Sequence, residues 1–534
     1  MDESQPQQRS NLVRSNVSVA AGTAVSRVTG LARIVVFGVI IGQTAVADAY
    51  DGANNSPNSL YELLIGGVFS AALVPVFTRL FHDDDDEAER AVIGSAITAL
   101  VALTIIAVAC APLIFRVFSL HPASGIDAGE YRHVGTLLTR IFLIQVFFYG
   151  VTALATAALN ARRKFTAAAW APVGSNIVII LLLLCIPLSI DGQPTLGTII
   201  DNSTIRWLLG AGATLGIAAG AIALAVVARR ANVRISCRPN FTHPAVRRLA
   251  RMSLWTFGYV LTNQIALITV RNLARPGSGD PDAYTKAYTF FQLPHALLAV
   301  SIATTFAPEL ARAAAQRDRD AFVGRLSLGV RLIALLTLPF SFLLLVTARP
   351  MVGALLQHGN FSEAAAANTA RALMGFAVGL VGFSVYLFVL RGFYAREDTR
   401  TPFVINCIEN ALNIVLAIVL MRHFGVLGLG LAFGLAYLIS AVLALAVVEV
   451  KLPQFEMRRM LVSLTPMLLS AAISAELAWA LGRAIGSTAG TGAFVRTAAC
   501  FTVGLASYAG FLTLFRVPET EQIITRVRRL TRGR

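Results

Sequence analysis

The sequence predicts an all-α integral membrane protein of about fourteen transmembrane helices, forming two pseudo-symmetric six-helix lobes and two C-terminal helices. Three observations predict this fold: the composition, the recurrence of long apolar segments, and an internal repeat. Of 534 residues, 56% are hydrophobic and 14% are charged, whereas soluble domains carry roughly 25% charged residues. Lipid is therefore the expected solvent for most of the chain.

Long apolar segments recur along the whole sequence. A helix needs about 20 such residues to cross a hydrocarbon core about 30 Å thick. The first segment contains arginines and lacks a small-residue cleavage site, so it reads as a retained span and not as a signal peptide. The predicted spans are 15–42, 55–81, 91–119, 135–160, 165–190, 206–228, 248–273, 283–311, 325–348, 362–393, 401–422, 426–449, 459–482 and 493–515.

Basic residues accumulate in the connections that follow even-numbered spans. Positive residues mark short cytoplasmic loops, so this pattern predicts a multi-pass membrane protein with both termini in the cytoplasm. The basic residues that carry the argument are Arg162, Arg163, Lys164, Arg229, Arg230, Arg234, Arg238, Arg247, Arg248, Arg312, Arg317, Arg319, Arg396, Arg400, Arg458 and Arg459.

The two halves of the chain resemble each other at an offset of about 233 residues. Pro75 and Arg79 end span two as Pro308 and Arg312 end span eight. Similarly, Ala161, Arg162 and Asn176 match Ala395, Arg396 and Asn410. Each repeat contains an even number of spans, so both copies keep the same orientation, as in transporters built from parallel repeats.

These features divide the chain into six segments. The predicted segments are a cytoplasmic tail (1–14), a first lobe (15–230), a basic linker (231–247), a second lobe (248–450), two C-terminal helices (451–515) and a basic cytoplasmic tail (516–534).

Span one contains two arginines, Arg27 and Arg33. A charge near the bilayer centre costs roughly 2.5–3.5 kcal/mol on insertion scales, so such residues normally face a polar cavity or a partner. Six residues turn a straight helix by about 240°, so the two would point apart unless the helix bends at Gly30. Guanidinium groups bind phosphate oxygens in pairs, which favours an anionic substrate such as a diphosphate. The alternative is a structural ion pair with Asp48 or Glu62.

Four further charged residues are candidates for substrate binding, and two amides are candidates for ion binding. The charged residues are Asp48, Glu62, Arg271 and Lys286. Asn406 and Asn410 lie one helical turn apart and could bind a driving cation, or could hydrogen-bond between helices. A sodium or proton gradient, or the membrane potential, is the expected source of direction.

Several function classes are excluded by what the sequence lacks. The chain shows no phosphate loop, catalytic triad or metal-ligand spacing, so we expect no enzyme activity, no cofactor and no metal. Although the net charge is +16, the cations are scattered between apolar runs, so nucleic acid is not an expected partner. Membrane lipids are expected partners.

Several motifs resemble those of the MurJ (MviN) family, which are lipid II flippases of the multidrug/oligosaccharidyl-lipid/polysaccharide (MOP) exporter superfamily. The motifs are Ser26 to Arg33, Ala47 to Tyr50, Pro57-Asn58, Gly67 to Ser70, Val74-Pro75, Leu293-Pro294 with Ala299 to Ser301, Gln357 to Phe361 and Gly392 to Pro402.

The resemblance implies that Arg27, Arg33 and Asp48 are functionally important and that the last two spans form a groove for a lipid tail. It implies a polyprenyl-diphosphate-linked disaccharide peptide as substrate, with cell-wall synthesis or division proteins as further partners. The sequence departs from the family at three positions: Ile34 stands where the family often has an acidic residue, and Glu62 and Thr289 stand where it often has arginines.

Four alternatives remain open at this stage. They are an exporter of another polyprenyl-linked glycan, a drug exporter of the same superfamily, a membrane-embedded glycosyltransferase and a non-transporting cell-wall scaffold. A drug exporter should favour cavity carboxylates over arginines, and a glycosyltransferase should carry a large outer loop with acidic residues.

Overall fold

The computed structural model describes residues 4–63, 77–78, 86–162, 164–190, 192–233, 239–243, 246 and 254–520. Several predicted features lie outside these residues. They are the second half of span two with its Gly67 to Ser70, Val74-Pro75 and Arg79 motifs, much of the basic linker, and the basic tail from 521 onward.

The described chain forms two compact units, and its regular secondary structure is helical. The first unit comprises residues 1–282 and 359–361. Its helices are α1 (Ser4–Ile41), α2 (Ala45–Tyr61), α3 (Asp86–Ala109), α4 (Ala111–Val117), α5 (Ala128–Leu143), α6 (Gln145–Ala161), α7 (Thr166–Leu184), α8 (Leu196–Asp201), α9 (Ser203–Arg230) and α10 (Leu254–Leu273).

The second unit comprises residues 283–358 and 362–534. Helix α11 (Asp280–Pro294) begins at the boundary between the units. The remaining helices are α12 (Val300–Ala315), α13 (Arg319–Leu356), α14 (Glu363–Val378), α15 (Leu380–Ala395), α16 (Arg400–Phe424), α17 (Val426–Lys451), α18 (Met457–Ile485) and α19 (Gly490–Leu514).

The helices confirm the predicted all-α membrane fold. Among the residues that the structure describes, eleven helices are long and apolar enough to cross a membrane, or twelve if one bent pair is a single span. The second and seventh predicted spans are the two that are not among them. Part of each lies outside the described residues, so the count is compatible with fourteen. The predicted lobe limits at 230 and 248 stay a prediction.

Four of the predicted spans consist of two helices each. Spans three and four break at Cys110 and Ile144. Pro112 lies in the first turn of α4, where backbone N–H groups have no acceptor within the helix, so its missing N–H costs no hydrogen bond. Span eight passes from α11 through a π-helical turn, His295–Ala299, directly after Pro294. Span ten bends by 48° between α14 and α15. Irregular turns are therefore built into the transmembrane segments.

Small residues bring the closing helices of both units close to their neighbours. A Cβ atom on Gly216 of α9 would lie 2.7 Å from the carbonyl oxygen of Ser175 on α7. One on Gly434 of α17 would lie 3.0 Å from the carbonyl oxygen of Gly375 on α14. Both helices thus require glycine for close backbone approach.

Candidate functional site

Helix α1 carries both arginines and packs on α7. The amide of Asn176 on α7 donates to the carbonyl oxygen of Ser26 at 3.3 Å and to Oγ1 of Thr29 at 3.2 Å. Helix α1 continues through Gly30 without interruption. Arg27 and Arg33 therefore remain about 120° apart around one continuous helix.

The two arginines occupy different environments. Arg27 is exposed, whereas Arg33 is half-buried. Arg33 lies within electrostatic range of the hydroxyl groups of Tyr50 on α2 and Tyr149 on α6. The ring of Tyr50 contacts that of Phe37, with their centroids 4.5 Å apart. Arg33 thus lies on the part of α1 that is nearest to aromatic residues of α2 and α6.

Neither arginine forms an ion pair within the described part of the chain. The carboxylates proposed as structural partners, Asp48 and Glu62, are bound elsewhere. Both guanidinium groups therefore remain available to a ligand anion, but they lie on different faces of α1, because the helix continues through Gly30.

Asp48 is fully buried and binds three backbone N–H groups. One carboxylate oxygen accepts from Gly277 at 2.8 Å and Gly279 at 2.7 Å, and the other accepts from Asp282 at 2.9 Å. Both glycines have positive φ angles, +96° and +88°, which suit residues without a Cβ atom. Asp48 thus holds the connection that leads into α11 and supplies an anion at the N-terminus of that helix.

Arg271 is also bound to a carboxylate. Its Nη2 atom lies 2.6 Å from Oδ2 of Asp51, and its side chain is 5% exposed. The guanidinium carbon lies 5.9 Å from the ring centroid of Phe118. A buried pair of this kind neutralises both charges, so Arg271 is already paired with a residue of its own chain in this structure.

Glu62 ends α2 and is exposed. Its carboxylate accepts a hydrogen bond of 2.8 Å from Nε2 of Gln264 on α10. Two contacts therefore join α2 to α10: Glu62 at the end of α2 binds Gln264 of α10, and Arg271 of α10 binds Asp51 of α2.

The remaining candidate residues belong to the second unit. Lys286 is buried on α11. On the same helix, the hydroxyl of Thr289 donates to the carbonyl oxygen of Thr285 at 3.1 Å. On α16, four buried polar residues follow one face: Asn406, Glu409, Asn410 and Asn413. The amide of Asn410 donates to the carbonyl oxygen of Asn406 at 2.9 Å. The two predicted amides therefore do lie together, on a polar stripe.

Sequence reasoning missed two partners in the first unit, Asp51 and Gln264. The helical period could have pointed to Asp51, because it follows Asp48 by about one turn of α2 and so lies next to it on the helix surface. No local signal pointed to Gln264, because its partner Glu62 is 202 residues away.

Comparison with known proteins identifies the family of the chain. A model of the family described as "Lipid II flippase MurJ" matches residues 37–499. The chain belongs to the MurJ lipid II flippase family. This confirms the resemblance read from the motifs.

MurJ relatives match over most of the chain. The lipid II flippase MurJ of Burkholderia cenocepacia is 29% identical over 445 residues, covering 81% of this chain and 83% of that protein. A solved structure entitled "Lipid II flippase MurJ, inward closed conformation" has a TM-score of 0.74 at 22% identity, covering 93% of this chain and 98% of that chain. An inward-facing multidrug MATE transporter of the MOP superfamily has a TM-score of 0.61 at 15% identity, covering 81% and 99%. The fold is therefore that of MurJ and of the wider superfamily.

Two of the three departures from the usual MurJ residues have local partners here. Glu62 is bound by Gln264, and the Thr289 hydroxyl is bound to its own helix. Ile34 is a half-buried apolar residue on α1. These substitutions are accommodated without leaving a buried charge at any of the three positions.

Proposed function

We propose that this protein is a lipid II flippase of the bacterial inner membrane. It moves the polyprenyl-diphosphate-linked peptidoglycan precursor from the cytoplasmic to the outer leaflet, with both protein termini in the cytoplasm. The single observation that carries the proposal is the MurJ family match across residues 37–499. The many apolar helices of a multi-pass protein agree with it.

In the proposed mechanism, Arg27 and Arg33 bind the diphosphate, each from its own face of α1. Their support is chemical: two guanidinium groups without a carboxylate partner in the described residues, on the helix that carries the family motif. Moving a multiply charged head group through hydrocarbon alone would cost many kcal/mol. A cavity lined by cations, opened to each side in turn as the lobes rock, removes that cost while the tail stays in the membrane.

Two of the other charged candidates, Asp48 and Arg271, position the helices around the site in this proposal. Asp48 holds the connection into α11, and Arg271 holds Asp51 on α2. Because both are occupied by protein groups, their substitution should disturb the scaffold that presents Arg33. Lys286 remains a candidate for direct contact with the head group.

The two C-terminal helices are assigned to the lipid tail. Helix α18 exposes several large apolar side chains, which suit a polyprenyl chain or membrane lipid. They are Leu461, Val462, Leu468, Leu469, Ile473, Leu477 and Trp479.

A driving cation, sodium or a proton, or the membrane potential supplies direction in the proposed cycle. The buried amides Asn406 and Asn410 on α16 are the proposed cation site. Cell-wall synthesis or division proteins are proposed as partners that deliver or consume the precursor.

The test is lipid II flipping in proteoliposomes. We expect transport by the intact protein and a loss of at least tenfold in Arg27→Ala and in Arg33→Ala. The control is Arg422→Ala, an exposed arginine at the end of α16, which should retain transport. Thermal unfolding of each variant checks that it folds.

The outcomes separate the parts of the proposal. If the intact protein moves no lipid II under an imposed potential or under sodium or proton gradients, the flippase assignment is wrong. If it moves lipid II and both arginine variants remain active, the assignment stands and the arginine mechanism is wrong. Transport that depends on one cation gradient and is lost in Asn410→Ala supports the cation site.

A further inference from the structure

A second cationic site lies on α4 and α5 of the first unit. These helices border an open surface cavity of about 460 Å³. Its walls include three arginines and a histidine, namely Arg116, Arg132, His133 and Arg140. None of these residues belongs to the head-group site proposed above.

The cavity follows one face of α5. Gly129, Arg132, His133, Thr136, Leu137 and Arg140 line it, a spacing that keeps successive residues on one side of a helix. The buried residues of α5, such as Tyr131, Leu138 and Phe142, lie on the opposite side. The cationic face thus points away from the core of the unit.

The arginines in the cavity have no carboxylate partner among the residues that the structure describes. Arg132 donates instead to the carbonyl oxygens of Ser119 at 3.0 Å and Leu120 at 3.2 Å. The nearest acids in the sequence are Asp127 and Glu130, and neither lines the cavity. Asp127 caps α5 by accepting from the backbone N–H of Glu130 at 2.8 Å. The cavity therefore has a net positive charge.

Apolar surface adjoins the cations. Leu113 on α4 is 64% exposed, and Leu120, in the turn after α4, is 48% exposed. Leu113 falls within predicted span three (91–119), so acyl chains would cover its side chain. The arginines lie near the ends of their spans, where a charged head group can reach the membrane–water interface. Side chains on a helix lean toward its N-terminus, so Arg140 reaches toward Arg132 and His133.

We propose that this cavity binds the phosphate group of an anionic glycerophospholipid of the outer leaflet, whose acyl chains lie against Leu113. Arginine forks match the oxygens of a phosphodiester. The site is separate from substrate transport and would fix the first unit to the surrounding lipid.

The experiment uses the full chain in nanodiscs that contain photoactivatable phosphatidylglycerol or its phosphatidylcholine analogue. Crosslinked peptides are identified by mass spectrometry. We expect labelling of α4 and α5 by phosphatidylglycerol to exceed labelling by phosphatidylcholine at least fivefold. Arg116→Gln/Arg140→Gln should abolish that preference. Arg132 is retained in this variant because it also supports the 119–120 backbone.

The matched control is Arg312→Gln/Arg422→Gln, which removes two exposed arginines from the second unit and should leave the preference unchanged. Equal labelling by both lipids, or the same loss in the control, would overturn the proposal. Two competitors test the source of the anion. Displacement by inorganic phosphate would assign the cavity to a soluble anion, and displacement by lipid II would assign it to the substrate. Either result contradicts a phospholipid site.

Discussion

The two repeats use equivalent arginines in different ways. In the first unit, Nη2 of Arg162 binds both carboxylate oxygens of Glu89, at 2.8 and 3.1 Å, and both side chains are buried. In the second unit, Arg396 is exposed and its guanidinium carbon lies 5.8 Å from the ring centroid of Phe322. Glu89 and Phe322 are separated by the same offset of about 233 residues as the rest of the repeat. A buried ion pair in one unit thus corresponds to a cation–π contact in the other.

The backbone at the two arginines is the same. Arg162 and Lys164 both donate to the carbonyl oxygen of Leu159, at 3.1 and 2.9 Å. Arg396 and Asp398 both donate to that of Phe393, at 3.0 Å. The turn geometry therefore belongs to the repeat, whereas the side-chain contact differs between copies. Equivalent backbones do not imply equivalent energetics.

The largest expected effect comes from breaking the buried pair. Arg162→Met leaves Glu89 as an uncompensated buried charge, so unfolding should become easier by about 3–5 kcal/mol. Reversible unfolding in SDS measures this difference. The double variant Glu89→Leu/Arg162→Met should recover most of the loss, because replacing both charges with apolar groups is often nearly neutral. A double variant as unstable as the single one would show that the pair does not act as a unit.

The equivalent change in the second unit should cost much less. Arg396→Met removes a cation–π contact at an exposed site, worth about 0.5–1 kcal/mol. The same unfolding measurement applies. Phe322→Ala provides the contrast, since it opens a cavity in the core and should cost about 3–5 kcal/mol. If Arg396→Met were as damaging as Arg162→Met, the distinction between the two contacts would be wrong.

The smallest effect concerns Asp398, which stands where the first repeat has Lys164. Burial alone would raise the pKa of Asp398, but hydrogen bonds from Lys451 and Thr401 outweigh it and lower the pKa from 3.8 to about 2. Nζ of Lys451 lies 2.5 Å from Oδ2 of Asp398. Because the folded pKa lies below the unfolded one, the stabilisation is complete above about pH 4 and is lost as the pH falls through about 2.

Asp398→Asn should therefore lower the thermal midpoint slightly at neutral pH, and the difference from the intact protein should shrink between about pH 4 and pH 2. The control is Glu397→Gln, an exposed neighbour without a described ion pair. A difference that stays constant across this pH range would contradict the role given to Lys451.

Predictability from sequence differs between the fold and the candidate site. The membrane class could be predicted because the length of an apolar segment is a local property, and the repeat could be found by comparing the two halves of the sequence with each other. Arg27 and Arg33 stood out because arginines inside an apolar span are costly. The partner of Arg271 was not readable, because Asp51 is 220 residues away and only packing brings the two within 2.6 Å.

The sequence by itself determined the solvent of this protein, the approximate positions of its helices and the residue types available to bind an anion. These follow from hydropathy, helical period and charge, which need no knowledge of neighbours. Tertiary structure alone decided which charges are neutralised. It bound Asp48 to three backbone N–H groups and Arg271 to Asp51, and it left Arg27 and Arg33 without a carboxylate in the described residues. The physical reason is that pairing depends on distances of a few ångströms between segments hundreds of residues apart, and such distances are set by packing.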